Sequence, residues 1–150
     1  LEDNGSFTAT ENKKTDLTQE GLETELFFKE NNQSFSFFSN FSKSRNTDGQ
    51  AQLRRPNLTY GSNYTKGFLN DFLGPFYLNL NYKYTGKHID IDNGRLKMKS
   101  TDIINMSLSK NMSGSVFSAK ISNLLNERYE RPATYNQEGR QLRLGFKKIY

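Results

Sequence analysis

The sequence predicts an all-β fold, a transmembrane antiparallel up-and-down β-barrel, and three observations support this prediction. Runs in which apolar and polar residues alternate recur along the 150 residues, as in strands with one apolar face. The connections between the runs are alternately short and long, as in transmembrane barrels. Only 33% of residues are hydrophobic, and they are biased towards aromatics, with 12 Phe and 8 Tyr. A barrel with a lipid-facing side and a polar lumen accounts for this low apolar content.

The first three runs predict strands because side chains alternate between the two faces of a strand. Residues 21–29 alternate except at Phe27. In residues 34–42, phenylalanines lie on one face and serine and asparagine on the other. In residues 57–64, leucine and tyrosines lie on one face and threonine, glycine and asparagine on the other. The end of an earlier strand is expected near residues 1–10.

The regular alternation of residues 76–84 is the strongest of all. One face carries Phe76, Leu78, Leu80, Tyr82 and Tyr84, and the other carries Tyr77, Asn79, Asn81 and Lys83. A helix would distribute these residues around its circumference. Residues 102–109, 116–122 and 139–150 repeat the pattern, which gives about seven strands in all.

The connections alternate in length and suggest which end of the barrel they occupy. Short ones are expected near residues 30–33, 70–75 and 111–114, and long ones near residues 46–53, 86–100 and 126–140. Short turns are typical of the periplasmic end and long loops of the outer end. Glu23 and Glu25 share a strand face, and we interpret them as lumen lining rather than as a hydrolase pair.

Composition excludes several functions. The net charge of +5 comes from scattered Lys and Arg, whereas nucleic-acid readers concentrate them on one face. The absence of Cys excludes disulfides and thiolate zinc sites. No stretch reaches the roughly 18 consecutive apolar residues of a membrane helix. No phosphate loop, nucleophile elbow or zinc spacing is present, so we expect no enzyme activity, no cofactor and no nucleic-acid partner.

A polar segment in the second long connection contains the single histidine, His88. It is followed by Asp90, Asp92 and Asn93, which are similar to part of a calcium loop but lack the later Glu. We therefore expect a solvated loop and no metal site.

The alternation alone leaves other β-folds open. A soluble barrel or sandwich that binds a small ligand or glycan shows the same period, because one of its sheet faces is buried and the other wet. A passive porin-like channel is a further alternative. The C-terminal segment separates these hypotheses.

The last run ends on an aromatic residue with apolar residues at every second position behind it. It resembles the end strand by which the outer-membrane assembly machinery recognises its clients, and the insertion signal would consist of Leu142, Leu144, Phe146 and Tyr150. Lys148 departs from this pattern, although near the membrane edge its amine can reach the headgroups.

The segment from residue 121 to the end resembles the C-terminus of a TonB-dependent outer-membrane receptor. The resemblance rests on Asn123-Leu124-Leu125-Asn126, on Tyr129 and on Gly139-Arg140 before the closing strand. The segment Leu53-Arg54-Arg55-Pro56, which is expected to open a strand before a Tyr-rich hairpin, is similar to vitamin B12 (cobalamin) receptors.

The resemblance implies a barrel of about 22 strands closed around an N-terminal plug that engages TonB. Residues 1–150 would then be the C-terminal portion of that barrel, about seven or eight strands. The chain begins without Met or a signal peptide, so we expect a fragment that lacks the plug and the earlier strands.

The implied location is the outer membrane of a Gram-negative bacterium. The implied partners are lipid, the assembly machinery, TonB through the plug, and a scarce bulky nutrient, with a corrinoid ranked ahead of a ferric siderophore. Ligand contacts are expected in the last long connection, at Tyr129, Tyr135, Asn136 and Gln137, because ligand sites combine apolar surface with a few polar groups.

Overall fold

The computed structural model describes residues 17–46, 49, 51–69, 74–91, 95–112 and 114–148. These residues form a seven-stranded sheet and a two-stranded hairpin. The strands in chain order are β1 (Leu17–Glu30), β2 (Gln33–Asn46), β3 (Leu58–Phe68), β4 (Phe76–Thr85), β5 (His88–Ile91), β6 (Arg95–Met98), β7 (Thr101–Met112), β8 (Ser115–Ser122) and β9 (Gln141–Lys148). Within the described ranges, no helix is long and apolar enough to cross a membrane.

The large sheet is antiparallel throughout, and each strand pairs with the next one along the chain apart from the inserted hairpin. Its order is β1-β2-β3-β4-β7-β8-β9. All seven predicted runs are strands of this sheet, which confirms the predicted antiparallel up-and-down fold. In the described part of the chain the sheet is open, with β1 and β9 at its edges. The strand end expected near residues 1–10 lies outside the described residues.

The register places most apolar residues of the seven strands on one face, which we call the apolar face, whereas Phe27, Phe38 and Ile103 are on the opposite face. Leu80, for example, lies opposite Tyr64 on one side and Met106 on the other. Large side chains of this face remain uncovered, and Leu26 and Leu144 are 61% and 77% exposed. Soluble monomers rarely leave such a continuous apolar surface open.

Aromatic rings are concentrated at the two ends of the apolar face. Near the long connections, the rings of Tyr60 and Tyr84 stack at 4.7 Å, and Tyr82 lies 6.0 Å from Tyr60. Near the short turns, Phe68 and Phe76 stack at 5.0 Å. Phe76 and Tyr84 lie roughly 27 Å apart along β4, at about 3.4 Å per residue. Between these aromatic rows the apolar face carries Leu78 and Leu80 on β4, and Ser62, Tyr64 and Lys66 on β3.

The opposite, polar face carries a chain of side-chain hydrogen bonds that crosses four strands, which we call the amide row. Asn63 Nδ2 donates to Ser36 Oγ at 3.3 Å, and Asn81 Nδ2 donates to Asn63 Oδ1 at 2.6 Å. Asn105 Nδ2 donates to Asn81 Oδ1 at 3.1 Å, and the backbone N–H of Asn123 donates to Asn105 Oδ1 at 3.0 Å. The row therefore links the strands to the start of the last long connection.

The polar face also accommodates an aromatic ring over a glycine. Phe38 breaks the alternation of β2 and lies directly across from Gly61. A Cβ added at Gly61 would stand 2.7 Å from Phe38 Cζ, so the ring occupies the space that a side chain would take. Such cross-strand covering of glycine by an aromatic is a recognised stabilising pair in sheets.

Two expectations about the connections are wrong. Residues 86–100, expected as a polar loop, contain the hairpin of β5 and β6. Ile89 and Ile91 alternate with polar residues there, and this short alternating run forms a strand that pairs with β6. The segment 53–56 does not open a strand, because Arg54 lies in a turn and β3 begins at Leu58.

Candidate functional site

The three long connections, β2–β3, β4–β7 and β8–β9, emerge at the same end of the sheet because neighbouring strands run in opposite directions. The β4–β7 connection contains the hairpin, and the β8–β9 connection spans residues 123–140. This end contains the candidate site.

A single buried carboxylate joins the three connections. Asp90 in β5 has no solvent exposure. It accepts hydrogen bonds from Arg54 Nε in the β2–β3 connection at 2.7 Å and from the N–H of Ala133 in the β8–β9 connection at 2.8 Å. The N–H of Ile91 donates to it at 2.8 Å, and the N–H of Arg54 donates to Ile89 O at 2.6 Å. We call this arrangement the Asp90 node.

The donors around Asp90 hold its carboxyl group in the charged form. The hydrogen bond from Ala133, followed by that from Arg54, lowers the pKa of Asp90 from 3.8 to about 2, although burial acts in the opposite direction. The expectation of a solvated loop is wrong at this residue. Its oxygens already accept hydrogen bonds from three N–H groups. The described residues contain no group of three or more His, Asp or Glu residues that could hold a metal ion. Asp92 and Asn93 lie outside the described residues.

The β8–β9 connection starts with a turn built on Asn123. Its φ of 51° is in the left-handed region, which Asn tolerates better than most residues. Its Nδ2 donates to Glu127 O at 2.8 Å and to Glu138 O at 3.3 Å, and its Oδ1 accepts from the N–H of Glu127 at 2.8 Å. Asn123 therefore ties the beginning of the connection to its end.

A second asparagine explains the glycine of the Gly-Arg pair in the sequence motif. Asn126 also has a positive φ, 56°, and its Oδ1 accepts from the N–H of Arg140 at 2.9 Å. A Cβ at Gly139 would stand 2.7 Å from this oxygen. The motif residues Asn123, Asn126, Gly139 and Arg140 are thus parts of one loop closure.

A cavity of about 390 Å³ lies between the hairpin and the β8–β9 connection. Four of its lining residues are basic, Lys97, Lys99, Arg128 and Arg131, and two are acidic, Glu127 and Glu130. The remaining lining residues are Thr85, His88, Leu96, Met98, Ser100, Thr101, Tyr129 and Asn136. The cavity therefore combines a surplus of positive charge with some apolar wall.

The four residues expected to contact a ligand do not share one cavity. Tyr129 and Asn136 line the cavity described above. Tyr129 and Gln137 line a second cavity of about 330 Å³. Asn105 of the polar face also lines this second cavity. Tyr135 is 66% exposed and lines neither cavity.

Sequence reasoning missed the roles of Arg54 and Asp90, and it missed Lys97 of β6 and Lys99, which follows β6. The local signals for the hairpin were the alternation of Ile89 and Ile91 in β5 and that of Leu96 and Met98 in β6. Nothing local indicated the long-range partners of Asp90.

The described part of the expected insertion signal lies on the apolar face. Leu142, Leu144 and Phe146 are opposite Ile121, Ala119 and Phe117 of β8, respectively. Tyr150 lies outside the described residues, and the role of the signal remains a prediction.

Comparisons with known proteins bear on the fold. No family model and no curated protein matches the chain. A matching solved structure is the ferric yersiniabactin uptake receptor FyuA from Yersinia pestis, with a TM-score of 0.74 and 17% identity. The match covers 87% of this chain and 22% of that receptor, so the chain spans less than a quarter of the receptor's length. The likeness shows that the sheet has the fold of one part of that receptor, as the predicted barrel-segment fold requires.

Proposed function

We propose that this chain is the C-terminal part of the barrel of a TonB-dependent outer-membrane receptor, which imports a scarce, bulky nutrient. The observation that carries the proposal is the apolar face, which exposes large apolar side chains on six of its seven strands and carries stacked aromatic rings at both ends. Transmembrane barrels have an outer apolar band about 25 Å tall between two aromatic girdles. Residues 76–84 of β4 match the roughly 9–11 residues that a strand tilted by about 45° needs to cross the hydrocarbon core.

A soluble β-domain agrees poorly with this surface. Its sheet would bury the apolar face under a second layer, as in a sandwich. Leu22 and Phe28 are instead 67% and 54% exposed. The described residues form no second layer over them. Lipid is the solvent in which these side chains are stable.

The charge of the cavity supports a proposal for the substrate class. The surplus of basic residues, Lys97, Lys99, Arg128 and Arg131 against Glu127 and Glu130, favours an anionic ligand. We therefore place a ferric chelate ahead of a corrinoid, which reverses the order suggested by the sequence. The matching solved structure, a ferric yersiniabactin uptake receptor, agrees with this order. Tyr129 and Asn136 would contact the ligand directly in this cavity, Gln137 would do so only in the second cavity, and Tyr135 lines neither.

The other proposed partners follow from the same architecture. Lipid would contact the apolar face, and the assembly machinery would bind the last strand through Leu142, Leu144, Phe146 and Tyr150. TonB would engage a plug domain encoded elsewhere in the same protein. Enzyme activity and a cofactor form no part of the proposal.

Uptake by intact cells tests this function. The protein is expressed from its whole reading frame in a Gram-negative host, with and without TonB, and supplied with radiolabelled ferric chelates or radiolabelled cobalamin. Accumulation of a ferric chelate only with TonB would support the proposal. Accumulation of cobalamin would instead support a corrinoid as the substrate. Equal passage of small solutes with and without TonB would indicate a porin-like channel.

Two tyrosines of the same connection provide a matched pair for the ligand site. Tyr129→Ala removes a ring that lines both cavities, whereas Tyr135→Ala removes one that lines neither. We expect at least a tenfold weaker ligand affinity for the first variant, since a buried aromatic contact contributes more than about 1.4 kcal/mol. Equal affinity in the two variants would contradict the assignment of the cavities.

A further inference from the structure

The Asp90 node lies beside the cavity without being part of its lining. Neither Arg54 nor Asp90 lines the cavity, yet the node fixes both of its walls, the hairpin and the β8–β9 connection. We propose that Asp90 is a positioning residue that makes the three long connections open and close as one unit. Arg54, in a connection that contributes no lining residue, would then control how long a ligand stays in the cavity. The consequence for ligand retention rests on the proposed uptake function.

The first reason is the distribution of the donors. The bond from Ile91 is local to the hairpin, but Arg54 and Ala133 are separated from Asp90 by 36 and 43 positions in the sequence. Each donor belongs to a different connection. One carboxylate group therefore carries a bond to every long connection at this end of the sheet.

The second reason is the energetic cost of partial opening. A buried carboxylate that loses one of its donors is left with unpaired charge in a poorly solvated place, which is strongly unfavourable. Full exposure to water is less unfavourable, because water then replaces all of the donors. States in which only one connection has moved away are thus disfavoured relative to the states in which all three are closed or all three are open.

Burial of hydrophobic side chains points to the same packed unit. Among the described residues, Met98 and Ala133 are the buried hydrophobic ones, at 8% and 4% exposure. Met98 belongs to the hairpin and Ala133 donates to Asp90, so both lie in connections that the node joins. The strands of the sheet contain no comparable packed core in the described part of the chain.

Hydrogen exchange measured by mass spectrometry tests the coupling without any ligand. The protein is produced from its whole reading frame in detergent, and peptides from the three connections are compared in wild type, Arg54→Ala and Asp90→Asn. We expect exchange to accelerate about 10- to 100-fold in all three connections in either variant, the range for losing a hydrogen bond to a charged group. The acceleration in the β8–β9 connection of Arg54→Ala is decisive, because Arg54 itself makes no described bond to that connection.

The matched control is another ion pair at this end. Glu138→Gln removes the pair with Arg143, whose atoms are 3.7 Å apart and whose side chains are both exposed, at 73% and 65%. In the node Arg54 is as exposed, at 64%, but the side chain of Asp90 is only 1% exposed. Glu138→Gln should leave exchange in the β2–β3 connection and the hairpin unchanged, since exposed pairs contribute little. Acceleration confined to the β2–β3 connection in Arg54→Ala, or to the hairpin in Asp90→Asn, would overturn the proposal.

A milder variant and the double variant distinguish the proposed coupling from a general loss of structure. Arg54→Lys keeps the charge but not the planar Nε donor, and it should accelerate exchange in the same three segments by a smaller factor. Arg54→Ala combined with Asp90→Asn should be less severe than the sum of the two single changes, as for residues in direct contact. Strict additivity, or faster exchange in Arg54→Lys than in Arg54→Ala, would contradict the coupling. Because no substrate enters these measurements, their outcome is independent of the uptake assay.

Discussion

Replacement of Asn123 tests whether the last long connection is held by side-chain hydrogen bonds or by backbone geometry. Asn123 is 5% exposed, and its side chain makes three hydrogen bonds across the connection. At about 1 kcal/mol for each bond, their loss costs about 3 kcal/mol. The left-handed backbone at φ 51° adds about 1 kcal/mol for a residue with a Cβ that lacks the side-chain bonds of Asn.

Two variants separate these contributions. Asn123→Gly loses the bonds but adopts the left-handed backbone freely, so the free energy of local opening should fall by about 3 kcal/mol. Asn123→Ala loses the bonds and adds the backbone strain, so the fall should be about 4 kcal/mol. Each step of about 1.4 kcal/mol is a tenfold change in the opening equilibrium.

Hydrogen exchange at the amide of Glu127, which donates to Asn123 Oδ1, measures this opening. We expect exchange about 100-fold faster in the Gly variant and about a further fivefold faster in the Ala variant, from the costs above. Asn79→Ala is the control, since Asn79 lies on the same polar face but bonds only to Thr65 among the described residues. Wild-type exchange in Asn123→Gly would refute the role of the bonds, and equal rates in Gly and Ala would refute the role of the backbone.

Three further predictions concern other parts of the molecule. Because the folded pKa of Asp90 is about 2 against an ordinary 3.8, the stabilisation from its bonds is present above about pH 5 and is lost as the pH falls from about 4 towards 2; exchange in the three connections as a function of pH, corrected for the intrinsic rate, checks this. Gly139→Ala should displace Asn126 and destabilise the β8–β9 connection by about 1–3 kcal/mol, and normal exchange at the Arg140 amide would contradict this. Leu108→Arg should lower the stability of the barrel in lipid vesicles by about 2–4 kcal/mol, whereas Ser107→Arg, one residue away on the polar face, should have little effect; urea unfolding followed by gel mobility compares them, and equal losses would argue against a lipid-facing apolar side.

The strands could be predicted because their information is local. The alternation in residues 76–84 specifies both a strand and its two faces, and the observed strand spans Phe76–Thr85. The same reasoning located all seven strands of the sheet, since every strand has one face on the apolar side. Pairing with the neighbour follows from the up-and-down order, so little long-range information was needed.

The node could not be predicted because its information is distant in sequence. Asp90 has an acidic side chain in a polar segment, which is typical of a solvated loop or a calcium ligand. Its burial depends on Arg54 and Ala133, whose separation from it no local pattern encodes. The ring of Phe38 over Gly61 is similar, because its meaning appears only when the cross-strand neighbour is known.

The amide row has a consequence for the side chains within it. A backbone N–H can only donate, so the N–H of Asn123 requires that Asn105 present its oxygen. The nitrogen of Asn105 then points to Asn81, and the same constraint passes through Asn63 to the hydroxyl of Ser36, which accepts. All three amides have their dipoles in the same sense, and reversing any one would oppose two donors. One peptide group of a loop thereby sets the polarity of a wall about 15 Å wide, at about 4.8 Å per strand.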